Sequence, residues 1–247
     1  MTNYRIIVEY DGSRYDGWQK QGNTDQTIQG KIETVLERLC GQSVEVHGSG
    51  RTDAGVHALN QVANFHVDIN KKGQEIMEYL NHYLPEDIRV KALDQVPERF
   101  HSRLNAQEKT YLYRIEMGEK KQVFDRKYIY GLHKSLDVEA MERAAALLCG
   151  EHDFKSFCSN RKMKKSTVRN LKKIEFEKED TRLFVRFTGN GFLYNMVRIL
   201  MGTLIEVGLK ERRPEEMSGI LKALDRQMAG YTVPPEGLFL ESVNYLL

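Results

Sequence analysis

The run GSGRTDAGVHA, residues 48–58, sets one carboxylate, Asp53, on a short glycine-flanked loop. A side-chain carboxyl with an ordinary pKa of about 3.9 is ionised at neutral pH, and glycine neighbours let a loop present it with little steric cover. Such a group can act as a nucleophile or stabilise positive charge developing on a sugar. The residues alone leave both roles open. Turn chemistry accounts for any lone Asp-X-Gly, but it leaves Arg51, Thr52 and His57 unexplained. In an extended backbone Arg51 points to the same side as Asp53, either as a structural ion-pair partner or as a contact for a phosphate or a base. His57 suggests a metal ligand or a hydrolytic partner for Asp53. No second histidine lies at ligand spacing, because His47 and His66 fall on the neighbouring strands, so no metal is expected.

Four further segments carry candidate chemistry. Tyr111 and Tyr113 lie in TYLYRIE, where a core aromatic is the commoner fate; a phenol of pKa about 10 would have to fall before acting as a base, and periodicity singles out neither. In GNGFLYNMVRILMG, Met196, Ile199 and Leu200 form one helical stripe and Arg198 points away from most of it, which ordinarily means towards solvent. YDGSRYDGWQKQ interleaves aromatics with amides and holds the single tryptophan, Trp18; such a loop can stack on nucleotides or pack as a lid on its own domain. From Lys155 to Lys173 there are eight basic residues, Lys155, Arg161, Lys162, Lys164, Lys165, Arg169, Lys172 and Lys173, and no Asp or Glu. Alone the run reads as a solvated loop; its functional reading is a phosphate-binding patch.

Elements must hold these residues. RIIVEY (5–10), VEVH (44–47), VANFHV (62–67) and IRVKAL (88–93) read as strands. Ile28, Ile32, Val35, Leu36 and Leu39 mark a helix with Asp25 or Thr27 as its cap, and Ile76, Leu80 and Leu84 a shorter one stopped by Pro85. The order β-α-β-β-α-β is a recognised split unit. TYLYRIE (110–116), a helix over Val138–Leu148 ended by Gly150, a hairpin of VRNLKKIEFE and RLFVRFT around KEDT, helices near 193–208 and 214–225, and LFLESVNY (238–245) repeat the rhythm less strictly. The expectation is an α+β fold of two ferredoxin-like or RRM-like halves, with antiparallel sheets and a cleft between them: residues 1–104 carrying the Asp53 loop and 105–247 the tyrosine, the arginine and the basic segment.

Composition sets the outer limits. The 247 residues are 40% hydrophobic and 29% charged, with a net charge of +2, so total charge makes no case for nucleic acid. MTNYRIIVEYDG lacks the pattern of a secretory signal, and no uncharged window approaches about 18 residues, so no membrane span is expected. Cys40, Cys149 and Cys158 are odd in number and unpaired by motif, which suggests free thiols in a reducing cytoplasm.

Taken jointly, YDGSRYDGWQ, GSGRTDAGVHA, QVANF, FHSRLNA, TYLYRI, GNGFLYNMVRILMGTL and PEGLFLESVNY resemble the tRNA pseudouridine synthase A family, in its order and approximate spacing along nearly the whole chain. The resemblance implies isomerisation of uridine to pseudouridine at positions 38, 39 and 40 of the tRNA anticodon stem-loop, without metal or organic cofactor, by a homodimer that grips tRNA across both subunits. By match to its motifs, Asp53 is the catalytic aspartate and Tyr111 the active-site tyrosine, held against the uracil and removing the late proton. Arg198 is the arginine that pairs with the aspartate, Arg51 the one associated with base flipping, and Leu238 an apolar residue lining the pocket. Trp18, Lys162, Lys164, Lys165 and Arg169 are the expected RNA contacts. Asn60, Asn64 and Lys109 depart from the family's usual small residue, His and Arg, which points to a diverged or duplicated member. The rival readings are a non-catalytic RNA-binding protein and a hydrolase using Asp53 with His57.

Overall fold

The computed structural model describes residues 1–120, 123–160 and 162–246. Arg161 of the basic run therefore lies outside the described residues. In chain order the elements are β1 (Thr2–Tyr10), α1 (Ile28–Cys40), β2 (His47–Gly48), β3 (His57–Val67), α2 (Gly73–Tyr83) and β4 (Ile88–Val96), then β5 (Ala106–Glu116), β6 (Tyr130–Gly131), α3 (Val138–Ala146) and β7 (Gly150–Asp153). They continue with β8 (Val168–Glu179), β9 (Arg182–Gly189), α4 (Met196–Gly208), α5 (Glu216–Ala223) and β10 (Leu238–Tyr245). The fold is mixed α+β. The chain divides into two compact units, one of Met1–Gln107 joined by the stretch from Phe239 onward, the other Glu108–Leu238.

In the first unit β1 runs antiparallel to both β3 and β4, so the order is β4-β1-β3. Tyr4, Ile6, Val8 and Tyr10 alternate along β1 into the core. Ile28, Ile32, Val35 and Leu36 of α1 and Ile76 and Leu80 of α2 bury their side chains as well, each worth roughly 1.5–3 kcal/mol. Thr27 caps α1 by accepting from the Gly30 N–H. The VEVH strand is mostly not formed: only His47–Gly48 joins β3. The cause is α1, where Glu33 accepts from the Val46 N–H at 3.1 Å and Gln29 Nε2 donates to the Val46 carbonyl at 3.2 Å. Two helix side chains thus take the groups that a strand ladder would need.

One boundary differs from the expected division after residue 104. β10 pairs parallel to β3, Phe239 opposite His57 and Leu240 opposite Ala58, so the end of the chain completes the first unit rather than the second. The Tyr245 hydroxyl adds a bond to the Ser102 carbonyl at 2.7 Å and Asn60 Nδ2 one to the Glu241 carbonyl at 2.7 Å.

In the second unit β5, β9, β8 and β7 form successive antiparallel pairs, with β6 parallel to β5. The β8–β9 hairpin is tighter than KEDT suggested: only Asp180 and Thr181 lie between the strands, with Asp180 at φ 51°. α3 stops at Ala146, before the expected Gly150, which opens β7 instead. α4 is buried on nearly every side. Gly202 explains how: a Cβ there would collide with the carbonyl of Tyr231, so the 229–233 segment crosses directly over the helix. Among the described residues no helix is long and apolar enough to cross a membrane, and no group of three or more His, Cys, Asp or Glu is placed to hold a metal ion. All three cysteines are free.

Candidate active site

The Asp53 loop is fixed from both sides by side chains and backbone of its own unit. Ser49 N–H donates to the Val62 carbonyl at 2.7 Å, and Ser49 Oγ meets Gln61 Oε1 at 2.6 Å. Gln61 Nε2 in turn donates to the Gly50 carbonyl at 3.0 Å. Thr52 is buried, its Oγ1 2.8 Å from the Tyr10 hydroxyl. Burial holds that phenol neutral, well above its ordinary range. The Val56 N–H closes the turn on the Asp53 carbonyl at 3.1 Å.

The YDGSRYDGWQ segment clamps the same loop. Trp18 N–H donates to the Thr52 carbonyl at 3.1 Å, and Gly55 N–H to the Tyr15 carbonyl at 3.2 Å. Gly17, at φ +98°, lies so close that a Cβ would stand 2.5 Å from the Thr52 carbonyl oxygen and 3.1 Å from the Asp53 carbonyl carbon. The two motifs are one mechanical part, and Asp53 is half-buried at its centre. Arg51 is exposed, and its Nε donates to Gln19 Oε1 at 3.0 Å while Gln19 Nε2 holds Gln29 Oε1 at 2.6 Å. Gln19 was not singled out in the sequence; its place at the end of the aromatic loop was the available signal.

Trp18 corrects the expectation of an RNA contact. Its ring is 2% exposed, packed on Gly48 and tilted against Tyr10 at 6.1 Å. The lid alternative is the one realised, because the indole is needed to fill the space between the clamp and β2. His57 is likewise structural: 1% exposed, stacked on Phe239 at 4.7 Å, with Nδ1 accepting from the Gly12 N–H at 3.0 Å. Asp11 Oδ1 lies 3.2 Å from the same nitrogen and makes the opposite demand on it. A backbone N–H can only donate, so Nδ1 accepts from Gly12. The same Asp11 Oδ1 also accepts from the Ser13 N–H at 2.9 Å.

In the second unit Tyr111 and Tyr113, two apart in β5, share a face. Tyr111 is 7% exposed, edge-on to Phe192 at 5.1 Å. Tyr113 is fully buried and its hydroxyl donates to the Pro234 carbonyl at 2.7 Å. Burial, then the Glu236 carboxylate, raises its ionisation far above the usual phenol range, with Arg198 opposing. Tyr113 is therefore a neutral structural donor. Leu238 is buried at the start of β10.

Arg198 does not take the solvent path that its helical phase suggested. Its Nε donates to the Val233 carbonyl at 2.7 Å and its Nη1 to Asn195 Oδ1 at 3.0 Å. The segment that Gly202 admits across α4 covers that face. Nothing local to GNGFLYNMVRILMG announces a cover arriving from some thirty residues on.

The basic run separates into parts. Lys162, Lys164 and Lys165 are exposed. Arg169 is part-buried, and its Nη1 donates to the Ser166 and Val168 carbonyls at 3.0 and 2.6 Å. Lys172 pairs with Glu108 at 2.8 Å and Lys173 with Glu175 at 2.8 Å, acids that lie outside the run and so were not apparent within it.

Comparison with known proteins extends over the same motifs. A family described as tRNA pseudouridine synthase matches residues 6–105 and 144–246. The chain is 48% identical over 245 residues to tRNA pseudouridine synthase A of Bacillus sp. (strain KSM-64), covering 99% of this chain and 100% of that protein. It is 45% identical to tRNA pseudouridine synthase A 2 of Bacillus cereus (strain ZK / E33L) and 45% identical to tRNA pseudouridine synthase A 1 of Clostridium tetani (strain Massachusetts / E88), each with 99% of this chain and 100% of the relative covered. The chain thus belongs to the tRNA pseudouridine synthase family.

Proposed function

We propose that this protein isomerises uridine to pseudouridine in tRNA, at positions 38, 39 and 40 of the anticodon stem-loop, with Asp53 as its catalytic carboxylate. The observation that carries the reading is the Asp53 loop itself, pinned by Trp18 and Gly55 main-chain bonds and by the close approach of Gly17. A catalytic group held this firmly loses little freedom on meeting its substrate.

The bond between ribose C1′ and uracil N1 breaks, leaving electron deficiency at C1′. Asp53 stabilises or captures that carbon. The freed uracil turns, C5 bonds to C1′, the C5 proton leaves and N1 ends protonated, so the product is an isomer. Tyr111 is the group assigned to accept the C5 proton, and Leu238 the apolar wall that keeps the detached base from water. Arg198 is assigned to hold the carboxylate ionised, and Arg51 to assist extrusion of the base, which costs a few kcal/mol. Lys162, Lys164 and Lys165 offset that cost through phosphate contacts. The protein acts in the cytoplasm as a homodimer.

The test is Asp53→Asn, assayed by release of tritium from tRNA labelled at uracil C5. Loss of release, with folding and tRNA binding kept, is the expected result. A variant that still releases label overturns the assignment. If instead the wild-type protein binds tRNA and releases none, the chain is a non-catalytic RNA-binding protein.

A further inference from the structure

We propose that Asn195 is a positioning residue for Arg198, and that through Ser159 it ties the aim of that guanidinium to the basic segment; the inference rests on the catalytic role assigned to Arg198. Asn195 occupies the residue just before α4, where an Asn side chain normally caps the helix by accepting from a first-turn N–H. Here it makes no capping bond. Its Oδ1 accepts from Arg198 Nη1 at 3.0 Å, and its Nδ2 donates to Ser159 Oγ at 3.0 Å. The side chain has been diverted from helix stabilisation to a guanidinium.

The backbone gives an independent sign. Asn195 sits at φ 60°, ψ 9°, a left-handed conformation that Asn adopts more readily than other non-glycine residues. That conformation places the amide between Arg198 and Ser159. A second anchor on Arg198, the Val233 carbonyl at 2.7 Å, comes from the covering segment, so two of the guanidinium nitrogens are held from different directions. On the other side of Asn195, the Ser159 N–H also donates to the Tyr194 carbonyl at 3.1 Å. Ser159 is thereby attached to the 194–195 turn by both backbone and side chain, and Lys162, Lys164 and Lys165 follow a few residues later.

Asn195→Gly keeps the backbone conformation without strain and removes the amide, whereas Asn195→Ala removes the amide and adds strain. The expected result is that both lower kcat on the order of 10-fold with KM within about twofold, and that only Asn195→Ala lowers Tm by more than about 2 °C. Ser159→Ala moves kcat in the same direction by a smaller factor. If Asn195→Gly keeps the wild-type kcat, or changes KM alone, Asn195 serves the backbone only and the inference is overturned. Arg198→Ala is the companion: retained turnover refutes the role of Arg198, whereas lost turnover with an unaffected Asn195→Gly refutes only the positioning by Asn195.

Discussion

Gly17→Ala tests whether the clamp on the Asp53 loop matters. The new Cβ would stand 2.5 Å from the Thr52 carbonyl oxygen, and ordinary contact begins near 3.4 Å, so the Thr52–Asp53 peptide must retreat by about 0.9 Å. Holding a side chain at φ +98° costs roughly 1–3 kcal/mol, and the overpacking adds roughly 1–3 kcal/mol. Reduced freedom of the unfolded chain returns about 0.4–1 kcal/mol. A net loss of about 3 kcal/mol lowers Tm by roughly 6–12 °C in a chain of this size. A displacement near 1 Å of a catalytic group costs on the order of 100-fold in turnover. Thermal unfolding and the tritium-release assay read both effects. Gly22→Ala is the control, since its Cβ would meet nothing within 4 Å, and it should stay within about 0.5 kcal/mol of wild type. If Gly17→Ala matches that control in Tm and turns over within twofold of wild type, the clamp is not what positions Asp53.

Replacing Lys162, Lys164 and Lys165 together by Ala should weaken tRNA binding and flatten its dependence on salt, measured by titrations at several ionic strengths; an unchanged slope removes these lysines from the interface. Tyr113→Phe leaves the Pro234 carbonyl without its 2.7 Å donor and should cost about 1–2 kcal/mol in denaturant unfolding. His101, stacked on His47 at 4.9 Å, has its pKa lowered from 6.5 by burial and then by His47 and Arg103, with Glu45 opposing. The unfolded chain therefore binds more protons just below 6.5, and stability falls there as pH falls. His101→Gln should make the denaturation midpoint less steep between about pH 7 and about pH 5.

Elements whose cause is local were legible in the sequence. The apolar stripe and Thr27 cap of α1, the proline stop after α2 and the last strand all appear near their expected places. What was not legible depends on partners distant in the chain. VEVH has strand composition, but Gln29 and Glu33 claim its backbone from a helix. Trp18 has the setting of a stacking residue, and only the approach of Gly48 turns it inward. Arg198 lies on the polar side of its helix, yet residues 229–233 roof it over. The chemistry-bearing loop was visible because glycines and Asp53 crowd into eleven residues; the partners that hold it still, Gln19, Gln61 and Tyr10, were not.

The return of β10 to β3 has a consequence for how the protein is made. The first unit lacks one of its strands, and the Phe239 ring that covers His57, until the ribosome has translated through residues 239 and 240. At about 5–20 residues per second, that interval is on the order of ten seconds. During it the edge of β3 is a ready template for a foreign strand, so a nascent chain stalled before residue 239 is the species a chaperone would have to shield.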